Sequence, residues 1–202
     1  MRTFENIESI MRDRGLQVPN ENVYFKIPNA KEKMKILFEK FVPNYEWIDE
    51  YDRVAEWLTD NKGKGLFLYG NCGRGKTMLA KYIIPALLLV ECGKIVNYYD
   101  ILDLKTKFDE VVRYKILAVD DIGTEEVLVS FGNKTDIFSE IMDMVEKKSK
   151  LVIVTTNYQK NQLEERYGLR VLDRIIATTF RVKFTGKSFR STYENLTHLN
   201  RK

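Results

Sequence analysis

Apolar positions along the chain fall into two regimes. Up to about residue 60 they recur at helical spacing. Ile7, Ile10 and Met11 share one face of a first short segment, which breaks around Pro19 and Asn22. Met34, Leu37, Phe38 and Phe41 line a second helix that Asn29 is placed to cap and Pro43 stops. A third helix carries Trp47, Ile48, Tyr51, Val54, Ala55 and Leu58 and ends before Gly63 and Gly65. Beyond that point short apolar runs alternate with longer amphipathic ones. Strands are predicted at 66–69, 95–99, 116–119, 151–155 and 181–184. Helices are predicted from Lys76 to Glu91 with Gly93 as the stop, along the stripe Ile137, Phe138, Ile141, Met144 and Val145, and over 162–167 and 172–178. Pro85 lies inside the helix after Lys76 and should kink it. Strands alternating with helices predict an α/β fold, a mostly parallel five-stranded sheet with helices on both faces, preceded by a short helical N-terminal extension. Ligands of such folds sit at the carboxyl ends of the strands.

Composition narrows the class. Of 202 residues, 44% are hydrophobic and 31% charged, enough for one buried core under an ordinary surface. The longest apolar run, Ile83–Val90, contains Pro85 and falls well short of the roughly 18 residues a bilayer span needs, so no membrane partner is expected. Two cysteines, Cys72 and Cys92, and one histidine, His198, argue against a zinc site or a disulfide scaffold and for a reduced, cytoplasmic protein. The net charge of +4 is mild, but from Phe180 onward Arg181, Lys183, Lys187, Arg190, Arg201 and Lys202 face Glu194 alone. With Phe184, Phe189 and Tyr193 interleaved, this stretch reads either as a groove for single-stranded DNA or as core aromatics beside solvated lysines.

Chemistry enters at the strand ends. Gly70-Asn71-Cys72-Gly73-Arg74-Gly75-Lys76-Thr77, running on to Met78, matches the phosphate loop GxxxxGK(S/T) between a strand and a helix. Gly70, Gly73 and Gly75 permit turns that aim successive N–H groups at an anion. Lys76 supplies a point charge for β- and γ-phosphates, and the Thr77 hydroxyl is a ligand for Mg²⁺. Cys72 reads as a small filler of the loop. Asp120 and Asp121 follow the apolar run 116–119, placing Asp120 to hold Mg²⁺ and Asp121 to act as general base toward a water. Asn157, after the run 151–154 and two threonines, can hydrogen-bond a γ-phosphate or its attacking water without adding negative charge. Arg170 and Arg174 lie four apart on one helical face; either a neighbouring subunit's phosphoryl group or a carboxylate such as Asp173 or Glu165 could engage them.

Together GNCGRGKT at 70–77, ILAVDDIG at 116–123, VTTNY at 154–158, YGLRVLDRI at 167–175 and FTGKSFR at 184–190 resemble the AAA+ ATPases, specifically the branch of the DnaC/DnaI helicase loaders and the IstB transposition helper. The resemblance implies a P-loop (ASCE) three-layer sandwich over residues 45–190, with 1–44 as the extension and 191–202 as a basic tail. It implies Walker A at Lys76 and Thr77, Walker B at Asp120 and Asp121, sensor 1 at Asn157, and an arginine finger at Arg174 with Arg170 second. Arg190 resembles the arginine that substitutes for sensor 2. Implied with these are Mg²⁺-dependent ATP hydrolysis completed between self-associated subunits, a replicative helicase as partner, and binding of single-stranded DNA. The alternatives are a transposition helper on duplex DNA and an ATP-gated adaptor with little turnover, since Asp121 is one methylene shorter than the glutamate usual there. A P-loop small-molecule kinase is disfavoured because 120–150 contains no arginine for a lid. The interval of about sixteen residues between Tyr99 and Ile116 is shorter than the extra DNA-binding helix of initiator-type members would need.

Overall fold

The computed structural model describes residues 6–125, 128–130 and 133–190. Its centre is a five-stranded, all-parallel sheet built from β1 (Gly65–Gly70), β2 (Asn97–Asp100), β3 (Ile116–Ile122), β6 (Leu151–Thr156) and β7 (Thr179–Phe184) in the order β2-β3-β6-β1-β7. A separate two-stranded antiparallel hairpin joins β4 (Leu128–Ser130) to β5 (Asn133–Thr135).

The uninterrupted apolar runs are explained by burial on both faces. Leu66 and Leu68 of β1, Ala118 of β3 and Ile153 of β6 point into one core layer, with Val182 and Phe184 of β7. Their neighbours Phe67, Leu117, Val119, Val152 and Val154 point into the other. The first layer is covered by α2 (Ala30–Phe41), α3 (Asp49–Thr59) and the helix after the glycine loop; the second by α6 (Leu104–Val111), α7 (Ile137–Lys148) and α8 (Lys160–Thr178). The result is the predicted three-layer α/β sandwich. No helix among the described residues is long and apolar enough to cross a membrane.

Four details differ from the sequence expectation. Residues from Val23 onward do not stand apart as an extension: Val23, Phe25, Ile27, Met34 and Phe38 are buried in the same layer as β1 and β7. Among the helices of the described residues, only α1 (Ile7–Asp13) has no buried residue. Asn29 precedes α2 in the left-handed conformation, φ 55°, without a side-chain cap. Pro85 does not break its helix. Lys76–Cys92 is continuous as α4 (Lys76–Met78), a π turn (Leu79–Ile83) and α5 (Ile84–Cys92), with proline in the first turn of α5. The wider π turn admits the ring and the missing N–H where a straight α-helix could not. The two predicted helices at 162–167 and 172–178 are one element, kinked at Gly168 (φ 77°). The interval 100–115 holds a 3₁₀ turn (Ile101–Asp103) and α6.

Candidate functional site

The strand order decides which side chains meet. Because β6 lies between β1 and β3, the residue after β6 emerges between the loop that follows β1 and the carboxylates that end β3. Asn157 occupies that position. Its Oδ1 accepts from Lys76 Nζ at 3.0 Å and its Nδ2 donates to Asp121 Oδ1 at 2.8 Å. One amide thus joins the buried cation of the glycine loop to the second aspartate.

Lys76 is 6% exposed, and its ammonium also donates to the carbonyls of Gly70 (2.9 Å) and Asn71 (2.7 Å). Burial pulls it down to a pKa of about 8, opposed by the charges of Cys72, Asp121 and Asp120. All three of its hydrogen bonds go to neutral oxygens, which the charged oxygens of a phosphate can replace. Thr77 Oγ1 donates to Asp120 Oδ1 at 3.2 Å, so hydroxyl and carboxylate share one small volume as an Mg²⁺ site requires. Asp120 is 4% exposed and accepts further hydrogen bonds from the Tyr98 hydroxyl (2.8 Å) and from Thr155 Oγ1.

Asp121 owes its place to a β-bulge. The register of β3 against β6 shifts between Val119 and Ile122, and Asp121 takes a left-handed φ of 58°, its N–H held by Thr155 Oγ1 at 2.9 Å. The bulge turns its carboxylate into the same space as Lys76 rather than into the core. Burial, then the charge of Asp120, raises its pKa.

These groups open on a cavity of about 650 Å³, within the range of small-molecule sites. Cys72, Gly73, Gly75, Lys76, Thr77, Met78, Asp121, Asn157 and Arg190 line it. Gly70, Asn71 and Arg74 serve otherwise: they hold the loop instead of facing the cavity. The Asn71 amide donates to Gly186 O at 2.9 Å and its backbone N–H to Phe184 O at 2.9 Å. Arg74 donates to Lys187 O at 3.1 Å and lies over the Phe189 ring, 4.3 Å from its centroid.

The far wall was not legible in the motifs. Phe38, Val42, Tyr45 and Tyr51, from the end of α2 to the start of α3, form an aromatic side of the cavity. Phe38 stacks on both tyrosines at centroid distances of 5.3 and 4.6 Å. Tyr51 reads from its spacing as a core residue, yet its hydroxyl donates to Arg74 O at 3.2 Å. Thr155 and Tyr98 carried a faint signal, a hydroxyl inside or ending an otherwise apolar strand.

Two groups of candidate residues have partners in the structure that bear on their expected roles. Phe184 is fully buried and offers no face to a base, and Arg74 covers one face of the half-buried Phe189, which also borders the cavity; Tyr193 and the tail 191–202 lie outside the described residues. Arg174 is no free guanidinium: it donates to Asp143 Oδ1 at 2.5 Å and Glu146 Oε2 at 2.8 Å across the α7–α8 contact. Arg170, one turn earlier, is exposed.

A parallel sheet with a glycine-loop lysine and threonine after β1, paired aspartates after β3 and a polar amide on the strand between them defines a P-loop NTPase of AAA+ architecture. The chain belongs to the Novel STAND NTPase 3 family, which it matches over residues 45–194. Among solved structures it is similar to a protein described as a primosome component from Streptococcus pyogenes serotype M3, at 20% identity and TM-score 0.50, covering 79% of each chain. It is similar to a DNA replication initiation factor at 17% identity and TM-score 0.51, over 88% of this chain and 57% of that one. A DnaC helicase loader aligns at 22% identity and TM-score 0.48, over 80% of this chain and 94% of that one. At these identities the likeness speaks to the fold. No curated protein matches the chain.

Proposed function

We propose that the chain is an Mg²⁺-dependent ATPase that acts in DNA replication as a helicase loader. The observation that carries the catalytic half is the Lys76–Asn157–Asp121 chain of hydrogen bonds, whose three members line one cavity with Thr77, the partner of the buried Asp120. The replication half is supported by the fold shared with a primosome component and a replication initiation factor.

The Lys76 ammonium would exchange the Gly70 and Asn71 carbonyls for phosphate oxygens. Mg²⁺, held by Thr77 and Asp120, would neutralise charge on the transferring phosphoryl group. Asp121 accepts the proton of the attacking water as its oxygen bonds to the γ-phosphorus and the bond to the ADP oxygen breaks. A carboxylate raised by burial is the stronger base for that task. Asn157 orients Asp121, and the aromatic wall of Tyr45 and Tyr51 receives the base.

The guanidinium needed in trans is assigned to Arg170, because Arg174 is committed to two carboxylates. A second reading, an adaptor that binds ATP and turns it over poorly, is favoured by the short Asp121 side chain and its tie to Asn157. Phosphate release at matched Mg·ATP occupancy separates them. Turnover in the wild type that falls about 10²-fold or more in Asp121→Asn, with nucleotide affinity retained, supports the ATPase. Equal, near-zero release from both proteins supports the adaptor.

A further inference from the structure

The opposite end of the sheet carries a feature that the nucleotide site does not use. Where the chain enters four adjacent strands it is basic: Lys94 shortly before β2, Lys115 immediately before β3, Lys148 and Lys150 before β6, and Lys64 immediately before β1. At about 4.8 Å per strand these entries span roughly 15 Å. Five described lysines form ion pairs: Lys26 with Asp60, Lys31 with Asp52, Lys33 with Glu91, Lys107 with Asp103 and Lys147 with Asp143. None of the five at this edge forms an ion pair among the described residues. Two of them are held by backbone carbonyls: Lys115 Nζ donates to Glu21 O at 3.0 Å, and Lys150 Nζ donates to Val112 O and Tyr114 O. Lys115 Nζ reaches Lys148 O at 3.4 Å, and burial followed by the charges of Lys148 and Lys115 holds the Lys150 ammonium below its ordinary value.

An aromatic ring stands beside them. Residues 20–25 cross this edge in extended form, pinned by Asn61, which donates to Val23 O at 2.8 Å and accepts from Phe25 N–H at 3.0 Å. Val23 and Phe25 are buried, so the alternation of an extended chain turns Tyr24 outward, 62% exposed. Tyr24, Lys94, Lys115 and the exposed Ile95 border one groove of about 610 Å³, with Glu21 its one carboxylate. A row of unpaired cations over one sheet edge with an exposed ring at a groove fits a flexible polyanion that also has planar faces to stack.

We propose that this strand-entry edge binds single-stranded nucleic acid, its phosphates on Lys64, Lys94, Lys115 and Lys148 and a base against Tyr24. The site lies on the end of the sheet opposite the nucleotide cavity and does not depend on the ATPase reading. Anisotropy of a labelled oligothymidylate of about 15 nucleotides, titrated between about 50 and 200 mM salt, tests it. Lys64→Glu/Lys94→Glu should weaken binding about tenfold or more and flatten the salt slope, since both side chains contribute phosphate contacts. Tyr24→Ala should weaken it about fivefold or more at an unchanged slope. Thermal melting and Mg·ATP calorimetry on the same preparations should match wild type, so loss of nucleotide binding would be read separately. If the charge reversals unfold the protein, Lys64→Ala/Lys94→Ala replaces them with the same expected direction. Wild-type affinity in these variants, loss only on removal of 191–202, or binding to phosphatidylserine vesicles with none to the oligonucleotide would each overturn the proposal.

Discussion

At the scale of single residues, Lys76 is the group whose chemistry is most perturbed, and its proton is a handle on the site. Below about pH 8 it is charged both folded and unfolded. Between about 8 and 10.5 the unfolded chain keeps a proton that the folded site sheds, so this group's contribution makes the nucleotide-free protein more stable as pH rises through that window. Phosphate oxygens beside the ammonium reverse the preference and draw the proton back. Binding of Mg·ATP near pH 8.5 should therefore be accompanied by proton uptake that fades toward pH 7. Calorimetry in buffers of different ionisation enthalpy measures it, and Lys76→Met should abolish both the uptake and most of the affinity. The motif residues on which this rests were readable from order alone: a GxxxxGK(S/T) loop, two aspartates after an apolar run and an asparagine after another fix chemistry and spacing together. Tyr45, Tyr51, Tyr98 and Thr155 were not, because what assigns them to the cavity is proximity between distant segments, and the Tyr51 hydroxyl meets a carbonyl 23 positions away.

Elements add the constraint of close approach. Gly75 has a left-handed φ of 84°, and a Cβ there would meet the Tyr51 hydroxyl at 2.4 Å but its ring carbon only at 3.4 Å. Gly75→Ala should lose about 1–2 kcal/mol to backbone strain, with more from the clash with the oxygen. Adding Tyr51→Phe removes that oxygen. The double variant should recover the clash but not the strain, which denaturant melts of the single and double variants would resolve. Non-additivity of the two changes is the signature; simple addition would sink the idea that α3 is fitted against the phosphate loop. The helices and strands themselves were largely legible from periodicity. What escaped was joinery: the π turn that seats Pro85, the continuity of α8 through Gly168, and the entry of residues 23–41 into the common core. Each depends on how a segment meets its neighbours and leaves no mark on local spacing.

For the whole molecule the two arginines of α8 part company. Arg174 fastens α8 to α7, and its side chain is 12% exposed. Arg174→Ala should cost about 1 kcal/mol in stability while leaving turnover per folded molecule intact. Arg170→Ala should leave the melting temperature alone and slow ATP turnover about 10³-fold at concentrations where copies associate. Turnover that rises with protein concentration in the wild type but not in Arg170→Ala is the pattern expected of a group acting in trans. Spacing alone placed both arginines on one face and could not rank them, because Asp143 and Glu146 arrive from another helix. The grip on the phosphate loop has a mechanical meaning as well. Asn71, Gly73 and Arg74 are each bonded to the stretch from Phe184 to Phe189, which precedes the basic end of the chain in sequence. A tug on that end arrives at the glycines that cup the triphosphate, and by reciprocity a triphosphate settling into the cup stiffens the anchor from which the tail departs.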